Sequence, residues 1–285
     1  MALRASGRQA RVYMDLNAKE KKLDEILTSL DRVIVAYSGG VDSTYLAYKA
    51  HRVLGDRALA VTADSPSVPS HQRRVAMDVA AQFGFPHCVI NTEEMDREEY
   101  RDNPPNRCYF CKSELFAKLQ EMAHDQGFQA ILDGLNADDL GDYRPGRQAA
   151  SEHLVRSPLV EADLHKEEIR ELSRQAGLPT ADQPASACLA SRFPYGVKIT
   201  EENLRMVDRG EEALRHMGFR IFRVRHHEEL VRIEFGPDDL AKALNLETAR
   251  QLTTQFKQIG YKFVTLDLEG YRTGALNEVL LTRIE

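Results

Sequence analysis

The sequence predicts an α/β protein, a doubly wound parallel sheet followed by a smaller C-terminal α+β domain. Short unbroken apolar runs alternate with stretches of helical periodicity, as parallel strands buried on both faces and their crossover helices require. A glycine-rich turn joins the first apolar run to a helix. A stretch punctuated by glycine and proline then ends the alternation.

Leu23, Ile26, Leu27 and Leu30 recur at spacings of three and four and make 18–30 an amphipathic lead-in helix. Arg32–Tyr37 is the first strand, and Ser43–Ala50 is helical. The unit then repeats: strand Ala58–Ala63, helix Ser70–Phe83, strand Pro86–Ile90, helix Lys112–Gln126, strand Ala130–Asp133. A further helix, Lys166–Ala176, runs into Gly177-Leu-Pro-Thr-Ala-Asp-Gln-Pro184, which marks a stop and a linker. This predicts one domain over 1–180 and a second over 181–285. The second reads as a helix over 201–217, strands Arg220–His226 and Glu229–Phe235, helices between 238 and 259, and a strand Lys262–Leu268. In a doubly wound sheet, ligands sit at the carboxyl ends of the strands.

The chain has 285 residues, 42% of them hydrophobic, enough for one large or two modest cores. Lys and Arg number 38 against 44 Asp and Glu, so the net charge is 38 − 44 = −6, which disfavours a nucleic-acid partner. No apolar run approaches the roughly 18 residues of a membrane span, and the N-terminus has no apolar core behind its charges. A cytoplasmic protein without a membrane partner is the expectation. Four cysteines are too few for a disulfide scaffold and read as buried thiols, reactive thiols or metal ligands.

Ser38-Gly-Gly-Val-Asp-Ser43 lies between a buried-type strand and a helix, where backbone N–H groups form a nest at a positive helix end. Phosphate is its natural ligand. Gly39 and Gly40 permit positive φ and close approach, Ser38 and Ser43 add hydroxyls, and Asp42 suits a magnesium ion on the same phosphates. A tight turn with a cap explains one glycine and one cap, but not all six residues. The loop lacks the lysine of a Walker motif and the spacing of a dinucleotide turn. Asp64, at the end of the second strand, is a nucleotide-site candidate or a plain turn residue. Asp133 and Asp138, after the fourth strand, meet magnesium or form a solvated Asx turn.

Cys108 and Cys111 form a C-x2-C pair just before a helix, a spacing that lets two thiolates share one metal or cluster. Cys188, at the domain junction, is the candidate third ligand. Three cysteines suit an iron–sulfur cluster with one open iron better than a structural zinc, which takes four ligands. A thioredoxin-type dithiol and two ordinary thiols are the alternatives. Cys88, inside a strand pattern, reads as core.

The loop resembles that of the PP-loop ATP pyrophosphatases, which include NAD and GMP synthetases and tRNA thiolases. The resemblance implies that it holds the pyrophosphate of ATP while an oxygen of the substrate attacks the α-phosphorus. Asp142-Tyr-Arg-Pro-Gly-Arg147, Ala187-Cys-Leu-Ala-Ser-Arg-Phe-Pro-Tyr-Gly196, Arg223-Val-Arg-His226 and Arg232-Ile-Glu234 narrow the match. Together with the loop, they resemble the LarE family of pyridinium-3,5-biscarboxylate mononucleotide sulfur transferases over nearly the whole chain. That resemblance implies ATP and Mg2+ use, a small anionic mononucleotide substrate, a sulfide donor and a homo-oligomer.

Each substrate carboxylate would be adenylated and converted to a thiocarboxylate. The product would serve the nickel-pincer nucleotide of lactate racemase. In one branch of the family a lone cysteine, matching Cys188, gives up its own sulfur. In the other, three cysteines hold a [4Fe-4S] cluster, and Cys108 and Cys111 beside Cys188 resemble that branch. Lys112 is expected to neutralise charge near the cysteines, or else to be a solvated lysine. Arg223 and Arg225 share a strand face and, with Arg192, are expected to grip the substrate phosphate. Glu211 and Glu234 are weaker carry-overs as substrate or magnesium contacts. His226 and His227, neighbours on a strand, point to opposite faces and have no assigned role. The rivals are a tRNA thiolase and a non-catalytic protein that binds ATP or an iron–sulfur cluster.

Overall fold

The computed structural model describes residues 6–141, 145–184, 186–272 and 274–275, with residues 6–15 described in their backbone alone. In chain order the elements are α1 (Ser6–Thr28), β1 (Val33–Ala36), α2 (Val41–Leu54), β2 (Ala58–Asp64), α3 (Ser70–Phe83), β3 (His87–Asn91), α4 (Glu98–Arg101), α5 (Arg107–Gln126) and β4 (Ala130–Leu132). They continue with α6 (Pro145–Glu152), α7 (Pro158–Glu161), α8 (Lys166–Gln175), α9 (Glu201–His216), β5 (Phe222–His227), β6 (Leu230–Phe235), α10 (Pro237–Ala243), α11 (Leu246–Ile259) and β7 (Phe263–Leu266). The chain divides into two compact units. The first comprises the chain up to Asp64, Gln72–Glu94 and Cys108–Ser186; the second comprises Ser65–His71, Met95–Arg107 and the chain from Ala187.

The first unit is built on a parallel four-stranded sheet in the order β3-β2-β1-β4, the α/β architecture expected of the sequence. Its central strand β1 is buried throughout and shows why both faces need helices. Val33 and Val35 enter one core with Leu23 and Leu27 of α1, Leu46 and Ala50 of α2, and Ile169 and Leu172 of α8. Ile34 and Ala36 enter the other, with Phe116 and Leu119 of α5 and Ala149 of α6. Period-two side chains on one strand therefore serve two helical layers. Tyr37 continues the ladder one residue beyond β1, its N–H donating to Val61 O at 2.8 Å, and so fixes where the glycine-rich turn begins.

Two helices begin earlier than their apolar stripes suggest. α1 starts at Ser6 rather than near Ala18, and α5 at Arg107 rather than Lys112, so the C-x2-C pair lies in the first turns of α5 and not before it. Pro104 and Pro105 stop the helix from beginning earlier. Arg107 N–H already reaches back to Pro104 O at 3.0 Å.

The second unit holds a three-stranded sheet in which β5 and β6 run antiparallel and β6 and β7 parallel. Val224, Ile233 and Phe235 are buried beneath it, with Leu204, Val207 and Leu214 of α9 and Phe256 of α11. Gly210 lets α9 approach α11, because a Cβ there would stand 2.7 Å from Phe256 Cε1.

His226 lies in this core, 2% exposed, its Nδ1 3.1 Å from the Tyr261 hydroxyl. Burial, reinforced by His227, pushes its pKa down to about 4 from an ordinary 6.5. The unfolded chain therefore binds a proton that the native protein refuses between those values, and stability falls as pH drops through that window. Chemical denaturation from pH 7 to 4 is expected to show the loss, and His226→Phe should flatten the His226 contribution. An unchanged slope in His226→Phe would contradict it.

Candidate active site

At the carboxyl end of β1 the chain turns through Ser38–Ser43 into α2, with the α2 backbone N–H groups and Asp42 in its first turn. Gly39 takes φ +74°, and a Cβ on it would meet Ala76 Cβ and Gln72 O at 3.0 Å. Gly40 does not share this need: it is the N-cap of α2 in extended backbone, φ −77°. The expectation of positive φ thus holds for Gly39 and is corrected for Gly40.

The Ser38 and Ser43 hydroxyls are 3.0 Å apart. Ser38 N–H donates to Ser43 Oγ at 3.2 Å, and Gly40 N–H to Ser38 Oγ at 3.3 Å. The two hydroxyls thus occupy the N–H groups that a phosphate would engage.

Side chains from distant sequence complete this corner. Asp42 accepts from Lys166 Nζ at 2.5 Å and from Asn136 Nδ2 at 3.4 Å. The lysine supplies a fixed positive charge beside the carboxylate expected to hold magnesium. Gly134 sits directly against the loop, and a Cβ there would stand 2.8 Å from Ser43 N. Its neighbour Asp133 accepts from Ser157 Oγ at 2.7 Å and from Leu135 N–H at 3.2 Å, the second contact being an Asx turn. Asp64 pairs with Arg73 at the end of β2. The first unit therefore brings Ser38, Gly39, Gly40, Asp42 and Ser43 together with the β4 end. Lys166, Asn136 and Gly134 were not among the sequence candidates, because no local spacing links them to residue 42.

Gly39→Ala and Gly134→Ala are expected to reduce ATP-dependent pyrophosphate release by at least about tenfold, since a positive-φ alanine alone costs about 1–2 kcal/mol and the second methyl displaces Ser43. Gly40→Ala, whose Cβ would meet Ser38 Oγ at 3.4 Å in ordinary backbone, should be milder. Equal effects at all three positions would contradict this geometry.

Cys108 and Cys111, three apart on α5, share one helix face; Cys108 is exposed and Cys111 half-buried. Lys112 Nζ lies 5.3 Å above the Phe116 ring, a cation–π contact one helical turn on. Gly146 of α6 packs against Lys112 Cγ, where a Cβ would stand at 3.1 Å. Its motif neighbours Asp142, Tyr143 and Arg144 lie outside the described residues. Cys88 is half-buried in β3, with its thiol pKa raised by burial. None of the four cysteines forms a disulfide. Among the described residues, no three His, Cys, Asp or Glu side chains are gathered as a ready-made metal site. Cys108, Cys111 and Cys188 are free thiols, the donor type an iron–sulfur cluster takes, Cys108 exposed and the other two half-buried.

In the second unit, Cys188 is half-buried at the start of a short turn over Leu189–Arg192. Arg192 is 2% exposed and grips Glu211, 1% exposed, through Nε at 2.7 Å and Nη2 at 3.1 Å. Its remaining nitrogen donates to Ala187 O, Cys188 O and Ser191 Oγ at 3.0, 3.2 and 2.7 Å. Arg225 makes a bidentate pair with Glu234 at 2.9 and 2.8 Å and donates to Ser191 O at 2.9 Å. Arg232 also reaches Glu234, at 3.2 Å.

Arg223 lies 4.5 Å over the Tyr271 ring and donates to Phe222 O at 2.6 Å. Burial, and then the charge of Arg192, lower its pKa. Burial pushes the Glu211 carboxyl pKa up, but Arg192, Arg223 and Arg215 more than offset this and hold it below the usual carboxylate range. Arg192, Arg223 and Arg225 thus lie buried with Glu211 and Glu234, and Arg215 and Arg232 reach the same two carboxylates at 3.5 and 3.2 Å. Both oxygens of Glu234 are engaged by arginines, and Arg192 points its fork at Glu211 and the Cys188 segment.

The sheet and its loop define a PP-loop protein. The sequence pattern of the NAD synthase family matches residues 17–123. The chain is 36% identical over 266 residues to the pyridinium-3,5-bisthiocarboxylic acid mononucleotide synthase of Lactiplantibacillus plantarum (strain ATCC BAA-793 / NCIMB 8826 / WCFS1), covering 93% of this chain and 96% of that protein. It is 46% identical over 265 residues to the uncharacterized protein slr1717 of Synechocystis sp. (strain ATCC 27184 / PCC 6803 / Kazusa), covering 93% and 99%. Identity to the tRNA-specific 2-thiouridylase MnmA of Beijerinckia indica subsp. indica is 30% over 197 residues, covering 55% of this chain and 45% of that enzyme. The chain belongs to the LarE family of PP-loop sulfur transferases.

Proposed function

We propose that this protein is an ATP-dependent sulfur transferase that acts on the carboxylates of pyridinium-3,5-biscarboxylic acid mononucleotide. The observation that carries this reading is the end-to-end similarity to a pyridinium-3,5-bisthiocarboxylic acid mononucleotide synthase, which spans both units rather than the loop domain alone. The first unit binds Mg-ATP through the 38–43 loop, with Asp42 as the magnesium ligand and Lys166 beside it. Asp64 and Asp133 complete the nucleotide site; Glu234, expected from the sequence as a second magnesium contact, has both oxygens taken by Arg225 and Arg232 and is left out of the magnesium set. A substrate carboxylate oxygen attacks the α-phosphorus, the bond to the β-phosphate oxygen breaks, and pyrophosphate leaves. A sulfur nucleophile then attacks the carbonyl carbon, the bond to the AMP oxygen breaks, and a thiocarboxylate remains. Two carboxylates take two rounds, and the dithio product feeds nickel-pincer nucleotide synthesis.

Cys108, Cys111 and Cys188 would hold a [4Fe-4S] cluster. When bound, it supplies one iron without a protein ligand, open to a sulfide from an external donor. That none of the three is in a disulfide or fully buried supports this assignment. Lys112, in the same turn of α5 as Cys111, balances negative charge near the reacting groups. Arg223 contributes to holding the substrate phosphate, while Arg225 and Arg192, expected from the sequence to share that role, have their guanidiniums engaged by Glu234 and Glu211 and build the charged surroundings. On this reading 1–180 is the ATP domain and 181–285 the substrate and oligomerisation domain of a cytoplasmic homo-oligomer. Among the described residues, no helix is long and apolar enough to cross a membrane.

Incubation with ATP, Mg2+ and the dicarboxylate mononucleotide should release pyrophosphate only when substrate is present. With sulfide supplied, the product mass should rise by the exchange of oxygen for sulfur. Pyrophosphate release without substrate, or thiolation of tRNA in place of the nucleotide, would contradict the proposal.

A further inference from the structure

The segment that carries Cys188 has little regular structure of its own, so its backbone groups find partners in two loops of the same unit. Leu189 N–H, next to the cysteine, donates to Ser67 O at 2.9 Å. At the far end, Asn103 takes over. Its side-chain amide donates to Pro194 O at 2.8 Å and to Phe193 O at 3.5 Å, while its own carbonyl accepts from Gly196 N–H at 3.0 Å. Arg101 O accepts from Ile199 N–H at 2.7 Å, and the Arg107 guanidinium lies 5.1 Å over the Tyr195 ring. Residues 101–107 therefore form a splint along 193–199. The splint continues covalently into Cys108, because Arg107 is the first residue of α5.

Asn103 is chemically suited to the centre of this splint. It is wholly buried and sits at φ +54°, a left-handed backbone that glycine and asparagine tolerate and most side chains do not. Its short amide offers two donors to two successive carbonyls, which neither glycine nor aspartate supplies. Pro194 O also accepts from Val197 N–H at 3.1 Å within the segment, so Asn103 ties a local turn over 194–197 to the 101–107 loop.

We propose that Asn103 is a positioning residue that fixes the Cys188 segment, and through it the third thiol of the sulfur-transfer site, relative to the chain leading into Cys108 and Cys111. This rests on the three-cysteine reading given above. It assigns no contact between Asn103 and substrate or cluster.

The test uses the full-length protein, free of iron, as wild type, Asn103→Gly and Asn103→Asp. Glycine keeps the left-handed backbone and removes both donors; aspartate keeps the side-chain shape and replaces the two N–H donors by at most one O–H. Alkylation of each cysteine by a maleimide is followed by peptide mass spectrometry. With the two amide hydrogen bonds lost, Cys188 should react about tenfold faster in both variants, while Cys88 keeps its wild-type rate as an internal control. After anaerobic reconstitution both variants should retain less than about half the wild-type iron. A Cys188 rate within about twofold of wild type in both variants would overturn the proposal, as would an equal acceleration of Cys88, which signals general loosening. Faster Cys188 alkylation in the variants, with no iron bound even by wild type, would uphold the Asn103 anchor and sink the cluster reading instead.

Discussion

Cys108→Ala and Cys111→Ala are each expected to abolish iron binding and thiocarboxylate formation while leaving substrate-dependent pyrophosphate release in place. The two thiols lie on one face of the first turns of α5, and on the three-cysteine proposal removing one leaves two ligands. Cys188→Ala should do the same. Cys88→Ala, in β3, should cost only packing: its half-buried thiol lies against the apolar cluster under α5, and burial raises its pKa away from the reactive thiolate form. Iron counting and the electronic spectrum on reconstituted variants read this directly. Iron retained in both Cys108→Ala and Cys111→Ala would remove the cluster from the account. It would leave Cys188 as the sulfur source, visible as the loss of one hydrogen sulfide from the protein mass.

The second large effect is expected at Arg192. Truncating it to alanine takes the bidentate partner from buried Glu211, leaving it the longer 3.5 Å contact to Arg215, and removes three hydrogen bonds to the Cys188 segment, so a loss of about 3 kcal/mol of unfolding free energy is expected. Arg192→Ala with Glu211→Ala should recover part of that loss, because the under-compensated charge goes with its partner. Urea unfolding of the single and double variants gives the comparison. A double variant no more stable than Arg192→Ala would show that the cost lies in lost packing and not in the under-compensated carboxylate. The same arginine belongs to a local concentration of positive charge in a chain of net charge −6. Arg192, Arg223 and Arg225 lie buried with Glu211 and Glu234, and the acidic excess lies elsewhere.

What the sequence disclosed follows from the range of the interactions involved. β1 was legible because Val33–Ala36 is apolar on both faces, which only a sheet covered on two sides requires, and the loop was legible because its six residues act through local backbone. The early starts of α1 and α5 were not, since apolar periodicity marks the buried stripe and not the solvated turns before it. Lys166 is 124 residues from its partner Asp42, and no local pattern announces such a pair. Arg225 with Glu234 is intermediate: the hairpin of β5 and β6 brings them near once the register is known, but alternation along β5 alone showed only that Arg223 and Arg225 share a face. Arg192 was singled out as a phosphate ligand, whereas its guanidinium is engaged by Glu211 and the Cys188 segment. That arrangement depends on a contact across 19 residues and a turn.

The most direct test of the central claim is a single-turnover assay on anaerobically reconstituted protein with the dicarboxylate mononucleotide, ATP, Mg2+ and isotopically labelled sulfide. The account predicts AMP, pyrophosphate and a thiocarboxylate nucleotide that carries the label, with the mass of the protein unchanged. Unlabelled product accompanied by conversion of Cys188 to dehydroalanine would contradict it, as would AMP and pyrophosphate formed with no sulfur in the nucleotide.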